Sequence, residues 1–239
     1  MPRRLSWPAR RSRQGSPAGT PGADAYRSAS LPDGATPWRS AGWAALDFEL
    51  TGLDPRRDEI ISFGVIPIDE GRVRAGAAVS GLVRPEREVG EASIRVHGIR
   101  AADLDAAPSL SDSLGVLLPV LAGRGLIAHS AEIERAFLGR ALRERGLRLR
   151  GPVVDTEVLG RLWLGRRRER LPRRVSLSDL AGQLGVPAER PHDAVGDALT
   201  TAQLFIVLAA LLDAEQAETV ASLSRAHRRL EATQVFGSG

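Results

Sequence analysis

The sequence predicts a mixed α/β fold: a five-stranded sheet, with three antiparallel strands followed by strand–helix alternation, flanked by helices. Three observations carry this prediction. The stretches Trp43–Phe48, Ile60–Ile68 and Val73–Val83 are apolar or β-branched and are joined by short connections, the pattern of an antiparallel meander. Beyond about residue 104, helix-length apolar periodicity alternates with short buried runs. The chain has 239 residues, 43% hydrophobic and 26% charged, which is enough to bury a sizeable core.

Residues 1–40 are rich in Pro, Gly, Ser, Ala and Arg and lack apolar periodicity, so they read as a disordered tail. Trp43–Phe48 is a short strand that ends in acids. Ile60–Ile68 stops at Asp69-Glu70-Gly71, a hairpin-like turn, and Val73–Val83 continues as the third strand. Leu104–Leu121 then reads as a helix, Gly125–Ala128 as a buried strand and Ala131–Arg145 as an amphipathic helix. Val153-Val154 forms a last short strand, followed by helical segments near 156–164, 176–184 and 193–212. One domain over 41–212 results, with a polar helix and tail over 213–239.

Composition excludes several chemistries. With no cysteine there is no disulfide, Cys-ligated zinc, iron–sulfur cluster or thiol nucleophile. All 33 basic residues are Arg; against 29 acids they leave a net charge of +4 and a pI near 10.8, which invites a nucleic-acid partner. The charge is uneven, however. Residues 1–40 hold seven Arg and two acids, a net of +5, and the other 199 residues carry 26 Arg against 27 acids, a net of −1. Global basicity therefore says little about the folded part. A local run over 161–174, seven Arg and one acid, reads equally as a phosphate-binding rim or as a solvated charged loop. The longest apolar run, Leu204–Leu212, is far short of the roughly 18 residues that cross a bilayer. No signal-like apolar stretch follows the early arginines. The expectation is a cytoplasmic protein with no membrane partner.

Three clusters carry the chemistry. In Asp47-Phe48-Glu49-Leu50-Thr51-Gly52, Asp47 and Glu49 are two apart on a strand and share a face, so they repel unless a cation or proton lies between them. In His129-Ser130-Ala131-Glu132-Ile133-Glu134, a buried strand passes into a helix, with Glu134 beside the apolar stripe of Ile133, Phe137 and Leu138. In Pro191-His192-Asp193-Ala194-Val195-Gly196-Asp197, five-residue spacing on a regular helix would separate His192 and Asp197 by about 140°. They converge only if His192 sits on the loop before the helix. Taken singly, each cluster is also read as solvated acids or an exposed helix-entry histidine.

Together the clusters resemble the motifs of the DEDD superfamily of 3′–5′ exonucleases. The similar branch has histidine in its third motif and includes the proofreading epsilon subunit of bacterial DNA polymerase III. The resemblance covers about residues 42–212. Val96-His97-Gly98-Ile99, Val154-Asp155-Thr156 and Ser176-Leu177…Leu180-Ala181…Leu184-Gly185-Val186 match linking signatures in order. Three positions depart from the pattern: Leu50 replaces a Thr, Ser130 an Asn and Glu134 an Asp. The added methylene at Glu134 shifts its carboxylate by about 1.5 Å, and errors of that size cost about a hundredfold in rate.

The resemblance implies a ribonuclease H-like sheet and a two-metal phosphodiesterase using two Mg²⁺ or Mn²⁺. Asp47, Glu49, Glu134 and Asp197 are then the metal ligands and His192 the general base. His97, Leu50, Thr51, Gly52 and Ser130 contact the substrate. The implied partners are the 3′ end of single-stranded nucleic acid, DNA in the leading reading, and a DNA polymerase. An exoribonuclease on the same fold and a catalytically weakened scaffold of a polymerase complex are the alternatives.

Overall fold

In a computed structural model of the chain, residues 22–165, 173–188 and 191–236 are described. The arginine-rich run over 161–174 and the first half of the expected tail fall largely outside them. The central strand β1 (Trp43–Leu50) divides the molecule into two layers. It pairs antiparallel with β2 (Ile60–Asp69), which carries β3 (Arg72–Val73) and β4 (Val79–Leu82) on its far edge. On the other side of β1 lie β5 (Gly125–Ala128) and then β6 (Val153–Asp155), both parallel. This mixed sheet flanked by helices is of the predicted class. The third expected strand is two pieces on β2, so the sheet has six strands rather than five. A 3₁₀ turn at Ala75–Ala77 makes the break.

Alternation along β1 sends its side chains to two cores. Ala44, Leu46 and Phe48 pack toward α4 (Leu110–Leu121) and α5 (Glu132–Arg143). Trp43 and Ala45 face α6 (Thr156–Gly165), α7 (Leu177–Leu184) and the long α8 (Ala194–Asp213). Trp43 and Phe205 meet with ring centroids 5.1 Å apart. By length and composition α8 would suffice to cross a membrane, but it is a core helix, with Ala198, Ala202, Phe205 and Leu208 wholly enclosed. The expected helix over Leu104–Leu121 is interrupted: Pro108 stops one turn, α3 (Ala101–Leu104), and Ser109 caps the next by accepting the Asp112 N–H.

The tail expectation fails where side chains can be buried. Residues 22–40 include α1 (Ala23–Ser28) and a 3₁₀ turn at Trp38–Ser40. Tyr26 is buried, and its hydroxyl accepts the Arg150 N–H, while the Arg150 guanidinium donates to the Tyr26, Arg27 and Ala29 carbonyls that end α1. Trp38 packs edge-on against Phe205. Two aromatics anchor a segment whose composition reads as polar. Likewise the C-terminal segment is two helices, α9 (Val220–Ser224) and α10 (Ala226–Phe236). Val220, Leu223, Ala226 and Leu230 join the core, and the buried Glu218 pairs with Arg229 at 2.6 Å.

One close approach sets the position of α8. Gly64 lies opposite Asp47 in the β1–β2 register, and a Cβ there would collide with the Ala194 carbonyl and the Val195 backbone. The first turn of α8 therefore rests directly on the sheet beside Asp47. We expect Gly64→Ala to push α8 off the sheet, costing about 1–3 kcal/mol in urea unfolding and lowering any activity that depends on Asp197. Unchanged stability and activity would show that α8 does not depend on this contact.

Candidate active site

Asp47 and Glu49 stand near the C-terminal end of β1, on the face that Trp43 and Ala45 turn toward α8. The turns after β5 and β6 and the start of α8 open at the same edge, where ligands bind in open α/β sheets. Asp193 caps α8 by accepting the Gly196 N–H at 3.2 Å, which places Asp197 in its first turn. Carboxylate oxygens of Asp47, Glu49 and Asp197 all lie within 4.8 Å of one another. Glu134, in the first turn of α5, is buried, and its Oε2 has no hydrogen-bond partner.

No arginine pairs with any of these four acids among the described residues. Their protonation reflects that. Burial, then the charges of Glu134, Asp197, Glu49 and Asp193, push the Asp47 carboxyl well above its ordinary range. Burial and the charges of Asp197 and Asp193 raise Glu49 to about 7. Burial, with a contribution from Asp155, raises Glu134 to about 8. Asp197 is raised too, mainly by burial, although the His192 N–H it accepts opposes the shift. This all-oxygen, uncompensated donor set fits hard divalent cations.

His192 sits on the loop before α8, as convergence with Asp197 requires, and its own N–H donates to Asp197 Oδ2 at 2.9 Å. Its φ is +60°, a left-handed conformation uncommon for a residue with a side chain. The exposed His192 and the half-buried His97 stand close enough for His192 to lower the His97 pKa, after burial, the larger cause. His97 Nδ1 accepts the Ile99 N–H, and its Nε2 is buried without a partner. Leu50 is half-buried at a register shift that ends the β1 ladder. Thr51 Oγ1 donates to Asp58 and accepts the Glu59 N–H at 2.9 Å, and the Asp58 carboxylate fills the space that a Cβ at Gly52 would need. Asp58 therefore holds the turn that follows Glu49.

Ser130, the remaining expected substrate contact, lies on the turn that leads into α5. Its hydroxyl donates to Glu157 at 2.8 Å, and its φ is +57°. The turn is held by Asp155, whose carboxylate accepts N–H groups from Ser130, Ala131 and Glu157 at 3.1, 2.9 and 2.8 Å. Beside it, His129 uses both ring nitrogens, Nδ1 with Thr156 Oγ1 and Nε2 with the Val175 carbonyl. In the sequence Asp155 stands within a signature that implies no task for it, and Asp193 and Glu157 carry no expected role. The spacing of Asp193 ahead of Gly196 was a legible capping signal.

The exonuclease family model RNase_T matches residues 44–205, which hold every one of these acids. The chain belongs to this exonuclease family. A DNA polymerase III subunit epsilon-like protein of Rhodobacter capsulatus is 33% identical over 201 residues, 82% of this chain and 28% of that one. The PolC-type DNA polymerase III of Thermotoga petrophila is 32% identical over 170 residues, so the chain spans only 12% of that relative. The DNA polymerase III epsilon subunit of Aquifex aeolicus is 26% identical over 165 residues, 78% of its length. Among solved structures, exonuclease X in complex with 5′ overhanging duplex DNA superposes with a TM-score of 0.57 at 23% identity, covering 76% of this chain and 99% of that one. Exonuclease I from Methylocaldum szegediense gives 0.62 at 18%, covering 83% and 46%. The fold of this exonuclease domain is thus ribonuclease H-like, of the DEDD type.

The raised carboxyls make a stability prediction for the metal-free exonuclease domain. Between pH 4.5 and about 8 the folded state binds more protons than the unfolded state, because Glu49 and Glu134 titrate near 7 and 8 when folded and near 4.5 when unfolded. This contribution to stability is fully present below pH 4.5 and is lost as pH rises through 7–8. In EDTA the melting temperature should fall from pH 5 to pH 8, and Glu134→Gln should flatten the fall. A level melting profile across that range in the wild type would contradict the assignment.

Proposed function

We propose that the chain is a metal-dependent 3′–5′ exonuclease that hydrolyses the terminal phosphodiester of single-stranded DNA, in proofreading or repair. The observation that carries this reading is the cluster of Asp47, Glu49 and Asp197 within 4.8 Å, with Glu134, whose Oε2 has no hydrogen-bond partner, in charge range of Asp47. Four acids, two of them buried and none paired with an arginine among the described residues, are costly in a purely structural role. Two Mg²⁺ or Mn²⁺ ions match the donors: Asp47, Glu49 and Asp197 would hold one, and Asp47 with Glu134 the other. When bound, such ions lower the pKa of water and offset charge on the phosphate.

The chain's own groups supply the rest. The His192 ring, exposed beside Asp197, takes the proton of the attacking water. Its strained backbone is the kind of cost that folds retain at working sites. His97, with its unpartnered Nε2, faces the terminal nucleotide, whose sugar and base rest on Leu50, Thr51 and Gly52. Ser130 acts on the substrate through the turn it shapes. The named relatives support a partnership with a replicative DNA polymerase, and so a cytoplasmic setting.

Labelled single-stranded DNA and RNA, incubated with Mn²⁺ with and without EDTA, test the reading. Shortening of DNA from its 3′ end, abolished by EDTA, is the expected result. RNA preference would move the activity to an exoribonuclease, and no digestion of either would leave a binding scaffold. His192→Ala should lower kcat about 10²- to 10⁴-fold while calorimetric Mn²⁺ affinity stays within a few-fold. Near-wild-type turnover by that variant would remove His192 from its role.

A further inference from the structure

A polar cavity lies outside the carboxylate site. It encloses about 340 Å³ between the loop after β1, the segment after β4, the start of α4 and the far half of α5. Six arginines and three glutamates line it, a net of +3 in a chain whose residues beyond 40 sum to −1. Two of the glutamates are committed: Glu59 accepts the N–H groups of Glu86 and Arg87, and Glu144 pairs with Arg140 at 3.5 Å and Arg145 at 3.7 Å. The Nε of Arg145 is buried with no hydrogen-bond partner. Arg56 and Arg84 carry no side-chain hydrogen bond or ion pair among the described residues. Ser109, Leu110 and Ser111, at the N-terminus of a 12-residue helix, also border the cavity.

Converging guanidinium groups, an unpartnered buried Nε and a helix N-terminus make a receptor for a phosphate-type anion. We propose that this cavity binds a backbone phosphate of the same nucleic-acid strand whose 3′ end occupies the carboxylate site, so that the strand is gripped at two points. The placement favours that ligand. Arg140 is six residues beyond Glu134 on α5, about 9 Å along the axis, or two to three nucleotides at about 3.4 Å each. Arg140 also donates to the Pro55 carbonyl at 2.7 Å, on the loop whose other end is the Thr51–Gly52 turn held by Asp58. A phosphate in the cavity therefore bears on the same loop as the terminal nucleotide.

The inference rests on the exonuclease reading, so the test has one arm that does not need turnover. In EDTA, fluorescence anisotropy of a labelled 12-nucleotide DNA should show about tenfold weaker binding by the Arg56→Ala/Arg84→Ala variant, with a shallower salt dependence; Arg56→Lys/Arg84→Lys should recover most of the affinity. With Mn²⁺, the Ala variant should raise KM for the 12-mer at unchanged kcat, and leave hydrolysis of a nitrophenyl ester of thymidine monophosphate unaltered. Calorimetry with inorganic phosphate separates the sources. Phosphate binding lost in the variant with an unchanged 12-mer affinity would overturn the strand contact and leave a free-anion site. Unchanged affinity for both ligands would overturn the site altogether. A wild type inactive on the ester and the 12-mer, yet binding DNA through Arg56 and Arg84, would refute the exonuclease reading alone.

Discussion

Four carboxylates are held at one edge of the sheet against both burial and their mutual repulsion, and the rest of the architecture answers to that constraint. Asp47 and Glu49 cannot relax apart, because strand alternation fixes them on one face of β1 and the β2 ladder holds that strand rigid. Asp197 cannot retreat, because the backbone of α8 rests on Gly64 with no intervening side chain. The energetic cost of the site is carried by two well-packed cores on either side of β1, where Trp43, Phe205, Leu46 and Phe137 are completely enclosed or nearly so.

Asp155 shows by contrast what a supporting acid looks like. It stands at the same edge, next to Glu134, and burial raises its pKa as well. Yet it accepts three backbone N–H groups, so its charge is compensated by fixed dipoles. It spends that bonding on a left-handed Ser130 and the entry to α5. Glu134, three residues after Ala131, has an oxygen with no such partner. One carboxylate is used up in building the site, and the other is left free to serve it. Glu157 belongs with Asp155: it holds the Ser130 hydroxyl and the Val175 N–H, tying the β5 turn to the segment before α7.

What the sequence disclosed follows the range of the interactions. Strand parity placed Asp47 and Glu49 together, and helix phase showed that His192 had to lie outside α8; both are local rules with fixed periods. The division of Leu104–Leu121 at Pro108-Ser109 was equally local and was overridden by a long apolar pattern. Illegible were features that depend on distant partners. The left-handed Ser130 is stabilised from residues 155–157, and Tyr26 and Trp38 are buried by Arg150 and Phe205, more than 120 positions away. A composition-based reading of residues 22–40 sees only their prolines and glycines.

The exchange of Asp for Glu at position 134 can be judged on this basis. A longer side chain on an unchanged helix would carry its carboxylate past the cluster. Among the neighbouring charges acting on Asp47, that of Glu134 is nevertheless the largest. Its charge acts on Asp47, although the carboxylate stands outside the 4.8 Å group formed by the other three. The entry to α5 is set by the Asp155 and Glu157 contacts to Ser130, the position where an Asn would be replaced. Both departures lie at the entry to α5: Asp155 accepts the Ser130 backbone N–H and Glu157 the Ser130 hydroxyl, and Glu134 projects from the first turn that follows.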